Sequence, residues 1–227
     1  IILCVIALVN GGRQIVDEYR DYLHKEQQQS YYEHKEYAFS AAELSRLNLS
    51  AVGDDVHLYV NNDAEEIKVI CPDSSDYHYL VETSGDTLSI IFQEGDGDSF
   101  SLNDWFDGTD HRIDIWLPQS FLNRGSLDLD VVSGDIEFAG IDGAELTAVS
   151  VSGDINLDVC GFTQMSMETV SGDIDVSLSG PAAGYQLDYD TVSGEAEIGR
   201  QLLAASGDKK ISASTVSGDM EIYAADE

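Results

Sequence analysis

The sequence predicts an all-β fold, a β-solenoid of stacked strand-turn-strand repeats. Three observations carry the expectation. The pentapeptide Val-Ser-Gly-Asp-Ile, or a close variant, recurs five times after residue 126. Apolar and polar residues alternate on both sides of each copy. No long helical periodicity lies beyond residue 45.

The copies are Val132-Ser133-Gly134-Asp135-Ile136, Val151-Ser152-Gly153-Asp154-Ile155, Val170-Ser171-Gly172-Asp173-Ile174, Val192-Ser193-Gly194-Glu195-Ala196 and Val216-Ser217-Gly218-Asp219-Met220. Their glycines are 19, 19, 22 and 24 residues apart, the longer steps holding insertions near Pro181 and between Gly199 and Lys210. Aligned on glycine, the copies show apolar columns. Seven residues before it stand Leu127, Leu146, Met165, Leu187 and Ile211; four after it stand Phe138, Leu157, Val176, Ile198 and Ile222. Each unit therefore reads as strand, tight turn, strand, loop. Gly134, Gly153, Gly172, Gly194 and Gly218 are expected to hold a positive φ or to admit a close backbone approach.

The valine two residues before each glycine breaks the alternation. In a solenoid corner it would face the inside of the next coil, where Val170→Asp would bury an unpaired charge. The rival architecture is a two-sheet sandwich of hairpins, with Ser-Gly as a two-residue loop. The first half is a degraded version of the same grammar: Gly53-Asp54-Asp55-Val56, Ser84-Gly85-Asp86 and the strand Ile113-Asp114-Ile115-Trp116-Leu117-Pro118. The expected division is a regular repeat half over 126–227 and a degenerate half over 31–125, the two forming one continuous domain.

Residues 1–9 are uninterrupted apolar sequence, shorter than the ~20 residues that cross a bilayer. They read as the downstream end of a membrane helix, with residues 10–30 as a juxtamembrane linker. Cys4, Cys71 and Cys160 match no disulfide framework or zinc spacing. Buried free thiols are expected, with a Cys71–Cys160 bridge left open.

At the repeated Val-Ser-Gly-Asp-Ile units, at Ile115-Trp116-Leu117-Pro118 and at Gly53-Asp54-Asp55-Val56, the chain resembles the bacterial DUF4097 family of adhesin or β-strand-repeat domains, over residues 31–227. Glu195-Ala196 departs from the pattern. The resemblance implies a β-solenoid-like domain outside the cytoplasmic membrane, with adhesion or envelope-stress roles and no catalytic residues to carry over.

Charge narrows the partners. Forty-three acidic residues against 11 Lys and Arg give a formal charge of -32. Nucleic acid is excluded because phosphate contact needs a basic face, and anionic lipid is disfavoured for the same reason. The five histidines are scattered, and no glycine-rich loop leads into a helix. No catalytic residue or resident cofactor is expected. Two acidic constellations suit Ca²⁺, a hard cation that takes oxygen ligands: Asp96, Asp98 and Asp104 in one loop, and the ladder Asp135, Asp154, Asp173, Asp219. The competing role for the ladder is structural, each carboxylate accepting N–H bonds within its own turn. Phe100, Trp105 and Phe106 are expected to cap the core. The resulting expectation is a non-enzymatic, adhesin-like module, single-pass in the cell membrane and displayed outside it, binding an envelope protein or glycan. The rival is a polysaccharide-acting enzyme on a β-helix scaffold.

Overall fold

Residues 33–74, 77–95 and 111–226 are described by a computed structural model. Strands are numbered along the chain. One run of parallel strands precedes the corners: β6 (Thr87–Glu94), β2 (Arg46–Ala51), β8 (Ser126–Val131), β10 (Asp142–Ser150), the second half of β11 (Ile155–Thr169), β15 (Lys209–Thr215) and β13 (Tyr185–Thr191). A second run follows the corners: β7 (Arg112–Leu117), β3 (Asp55–Val60), β9 (Ile136–Ala139), the first half of β11, β12 (Ile174–Leu178), β16 (Met220–Ala224) and β14 (Ala196–Ile198). β4 (Glu66–Asp73) and β5 (Tyr77–Ser84) join the runs at one end by antiparallel pairing, and β1 (Glu33–Ser40) lies antiparallel on β4.

The two runs are one sheet of 16 strands among the described residues. Ten of them form a closed circuit, β10-β8-β2-β6-β5-β4-β7-β3-β9-β11, because β11 pairs back onto β10. Closure satisfies the strand edges that an open sheet would leave bare. The fold is a ten-strand β-barrel with six added strands. This overturns the solenoid expectation. A solenoid lays each coil beside its predecessor, whereas here β16 lies between β12 and β14, and β15 between β11 and β13. The fifth repeat is thus inserted between the third and the fourth. The sandwich of hairpins is overturned as well: β8 and β9 flank one corner yet pair with other units, not with each other.

The register explains the apolar columns. Leu88, Leu47, Leu127, Leu146, Met165, Ile211 and Leu187 are successive partners across the first run. Ile115, Leu58, Phe138, Leu157, Val176, Ile222 and Ile198 are partners across the second. All but Leu187 and Ile198, the last of each column, are buried. Burial of a side chain of this class stabilises by about 1.5–3 kcal/mol each, which is what makes the stack cooperative. β11 alone continues unbroken from the strand after one corner to the strand before the next. It turns between them at a bulge between Leu157 and Cys160, where Val159 takes φ 51°.

The corner valines are not interior. Val132, Val151, Val170 and Val216 are 43–45% exposed and Val192 is 70% exposed. The chain has left the strand by that position, and its N–H groups bond to the neighbouring corner, as Val132 N–H does to the Ala51 carbonyl. The side chains therefore point off the corner, not into the next coil.

Cys71 and Cys160 are both buried and free, and burial pushes their thiols up to about 12 and about 11. Among the described residues no helix is long and apolar enough to cross a membrane. The structure thus gives no basis for a helical tether or for single-pass placement in a cell membrane, and both expectations are withdrawn. Residues 1–9, on which they rested, lie outside the described residues, as do Cys4, Phe100, Trp105 and Phe106.

Two substitutions separate the corner positions. Gly172→Ala should lower stability by about 3 kcal/mol, since the new methyl meets backbone that cannot rotate away. Val170→Asp should cost less than about 1 kcal/mol, as at other surface sites. Urea denaturation of both variants checks the pair; equal losses would overturn the assignment of inside and outside at the corner.

Candidate functional sites: the corner file and the outer groove

The corners stack in one file, and three interactions hold them. The first is backbone contact. A Cβ on Gly153 would lie 1.9 Å from the Gly134 carbonyl oxygen, and one on Gly172 would lie 2.0 Å from that of Gly153. Gly218 faces the Gly172 carbonyl and Gly194 faces that of Gly218, both at 1.8 Å. The glycine is therefore demanded by close approach. A positive φ is confined, among described glycines, to Gly85 and Gly140.

The second interaction joins neighbouring corners. Asp135 N–H donates to Asp55 Oδ1 at 2.9 Å, Asp154 N–H to Asp135 Oδ1 at 2.8 Å, and Asp173 N–H to Asp154 Oδ1 at 2.8 Å. Asp219 N–H donates to Asp173 Oδ1 at 2.7 Å, and Glu195 N–H to Asp219 Oδ1 at 2.8 Å. The carboxylates thus accept from the next corner and not, as expected, from their own turn. Charged acceptors make such bonds shorter and stronger than neutral ones. The Asp135 carboxyl is held above its ordinary range, chiefly by burial; the Asp154 N–H opposes this, and the charges of Asp55 and Asp154 add to it.

The third interaction closes each turn internally. Ser150, Thr169, Thr191 and Thr215 accept the N–H of Gly153, Gly172, Gly194 and Gly218 on their hydroxyls. The hydrogen-bonding role of this column, three residues before each glycine, went unread in the sequence. Its signal was a hydroxyl residue in four of five copies, interrupted by Val131.

Asp54 sits at the head of the file, fully buried. Tyr77 and Tyr79 donate their hydroxyls to it at 3.0 and 2.5 Å, and His111 Nδ1 lies 3.7 Å away. Burial is the largest influence on Asp54 and raises its pKa, with both tyrosines and His111 pulling the other way. The Tyr79 hydroxyl is itself pushed well up, by burial first and then by Asp54.

A groove of about 590 Å³ runs across the outer side of β3, β9, β11, β12 and β16. Strand alternation places His57 and Tyr59, Glu137, Asn156 and Asp158, Asp175 and Ser177, and Glu221 and Tyr223 along it. Tyr59 stacks on Trp116 of β7 with ring centres 5.1 Å apart, and Lys68 Nζ lies 5.3 Å from the Trp116 ring centre. Tyr59 donates its hydroxyl to Asp114 at 3.1 Å, which also takes Arg112 at 3.1 Å. His57 pairs with Glu137 at 3.7 Å. The Asp175 carboxyl is raised, by burial first and then by the charges of Asp173 and Asp154. The groove thus offers aromatic surface near one end, Tyr223 across it and carboxylates between.

Of the residues read as Ca²⁺ candidates, Asp135, Asp154, Asp173 and Asp219 stand in the file, each engaged by a neighbouring N–H. Asp96, Asp98 and Asp104 lie outside the described residues. Among the described residues no three His, Cys, Asp or Glu side chains come together in a way that could hold a metal ion. The groove was missed, because only the register brings positions from five strands side by side.

The family model described as Toastrack DUF4097 matches residues 114–223, so the chain carries a DUF4097-like domain there. A search of curated proteins finds no match. The crystal structure of a "putative cell adhesion protein" from Clostridium sporogenes shares the fold, with a TM-score of 0.59 and 14% identity over 85% of this chain and 99% of that one. A "putative adhesin" from Bacteroides fragilis aligns at 14% identity over 84% of this chain and 97% of that one, with a TM-score of 0.39.

Two outcomes test the file. Asp154→Ala should destabilise by about 1.5 kcal/mol, the worth of a hydrogen bond to a charged group, while Asp154→Asn keeps an acceptor and should lose less; thermal melts of both check it. At Asp54 the folded protein holds its proton to higher pH than the unfolded chain does. This group's contribution to stability is therefore greatest near pH 3.8 and below, and falls as pH rises through the raised folded value. Asp54→Asn should remove that fall. It would appear as a stability difference between variant and parent that grows with pH, and a difference flat from pH 4 upward would count against the buried carboxyl.

Proposed function

We propose that this chain, with its DUF4097-like domain over residues 114–223, is a non-catalytic, adhesin-like binding module whose outer groove takes a glycan of the bacterial envelope. The groove lined by Tyr59, Tyr223 and five carboxylates or amide groups is the observation that carries the reading. Concave sites that combine apolar surface with a few fixed polar groups are where ligands bind. Pyranose rings present C–H faces that pack on aromatic rings, and hydroxyls that donate to carboxylates. Glu137, Asp158, Asp175 and Glu221 supply the acceptors. Their charge favours neutral sugars or those bearing an ammonium group, and disfavours phosphate polymers. The adhesion wording attached to the Clostridium sporogenes protein supports a binding role.

The enzymatic rival rests on carboxylates alone. A glycosidase needs two of them across a scissile bond, one with its proton retained at working pH. In the groove, Asp175 is raised by burial but lies among like charges on a sheet open to water.

Titration calorimetry with cello-, xylo- and partially deacetylated chito-oligosaccharides tests the proposal. The chito-oligosaccharide should bind with the highest affinity, and Tyr59→Ala should weaken it by about tenfold, the loss of one aromatic stacking contact. Binding that is unchanged in Tyr59→Ala, or cleavage of any of the three that Asp175→Asn abolishes, would overturn it.

A further inference from the structure

The stack is finished at one end and unfinished at the other. At the first end β4 and β5 pair across from one run to the other. At the second end the last strands are β13 and β14, both from the fourth repeat. β13 has only β15 as a partner strand and β14 only β16 among the described residues. Each therefore lacks a second partner strand among the described residues, with the turn Leu202–Ala204 packed against β13, and such an edge can recruit another strand.

Three further features coincide there. The apolar columns lose cover at this rung, apart from Tyr185 at the start of β13, which stays buried. Tyr189 is 40% exposed at the end of a column whose other members, Ile90, Leu49, Leu129, Ala148, Met167 and Ala213, are at most 2% exposed. Leu187 and Ile198 are half-buried and Ala196 is exposed, although their column neighbours are buried. The inserted turn Leu202–Ala204 buries Leu202 against this end but leaves Leu203 57% exposed. Next, the file of carboxylate bonds stops at Glu195. Its N–H is taken by Asp219, and no described N–H reaches its own exposed carboxylate. Last, the outward positions of the final rung are acidic: Asp188 and Asp190 on β13, Glu197 on β14.

We infer that this end is a docking edge that accepts an extended, basic strand from a partner protein as one more rung. Main-chain bonds to β13 and β14 would supply the affinity, as in other cases of strand addition. Inward apolar residues would cover Leu187, Tyr189 and Ile198. Outward lysines or arginines would stand beside Asp188, Asp190 and Glu197, where opposite charges on adjacent strands attract and like charges repel. That charge requirement selects against a second copy of this chain, whose own last rung carries the same acids.

A synthetic peptide with the sequence of residues 209–224 serves as the probe, because that segment already pairs with β13 and β14 from the other side. Ser212→Lys, Ser214→Lys and Glu221→Lys in the peptide place cations at the positions whose register partners are Asp188, Asp190 and Glu197. Fluorescence anisotropy should show saturable binding that weakens with added salt and is at least about tenfold weaker for a peptide with Glu at the three positions. Hydrogen exchange should slow at β13 and β14 on binding, and Asp188→Lys with Glu197→Lys in the protein should reverse the peptide preference. No binding of the lysine peptide, equal binding of both peptides, or protection confined to the outer groove would overturn the inference. So would a stable dimer of the protein alone in sedimentation, with β13 and β14 protected, since a second copy would then hold the edge.

Discussion

The approach of one corner's carbonyl to the next corner's glycine is the constraint on which the rest of the structure depends. A Cβ at Gly134, Gly153, Gly172, Gly194 or Gly218 would fall about 2 Å from backbone of the adjacent corner. That contact sets the corner-to-corner spacing, and with it the register of both strands leaving each corner. Once the register is set, every apolar column aligns and every Asp reaches the neighbouring N–H. Stacked carboxylates one strand spacing apart repel by roughly 3 kcal/mol per pair at an effective dielectric of 20. Here each of the repeat's aspartates instead faces an N–H dipole, and the bonds of 2.7–2.9 Å offset that repulsion.

Much of the local structure was legible in the sequence. Period-2 alternation around each Val-Ser-Gly-Asp gave strands at the correct positions, and the columns read from the alignment are the columns of the core. What could not be read was long-range order. Two copies of the same pentapeptide carry no label saying which lies beside which, so the placement of the fifth repeat between the third and fourth has no local signature. Closure of the circuit depends on the antiparallel strands β4 and β5, which lack the repeat altogether. The valines misled for a related reason. A β-branched residue in a conserved-looking column suggests core, but the turn begins one residue earlier than strict alternation implies, and Val170 faces outward.

The site was less legible than the fold. Its residues are the outward, polar halves of five strands, and nothing in the alternation distinguishes a polar residue that lines a groove from one that merely meets solvent. Tyr59, Trp116 and Tyr223 are the exceptions. Their rings offer stacking surface at outward strand positions, and two of them, register partners on adjacent strands, stack on each other at the side of the groove. The Asp ladder, by contrast, was visible at once and proved to be occupied with backbone. Visibility in sequence followed repetition, and repetition here serves the scaffold.

The inserted fifth repeat also decides which surface is left open. Had the repeats stacked in chain order, the last rung would be Lys209–Thr215 and Met220–Ala224, with Lys209 and Lys210 on its first strand and buried-type residues Ile211, Met220 and Ile222 uncovered. Placing that unit inside hides those residues, at most 2% exposed, and moves the irregular fourth unit to the end. The fourth unit is the one that departs from the pattern, with Glu195 for Asp and Ala196 for Ile. Both departures suit an end position: a small residue costs little when its column has no further cover, and Glu195 extends the file's acceptor farther than Asp would, beyond the last strand. The topology therefore exchanges a basic, strongly apolar end for an acidic, weakly apolar one that retains the edge and the acceptor a further rung would use.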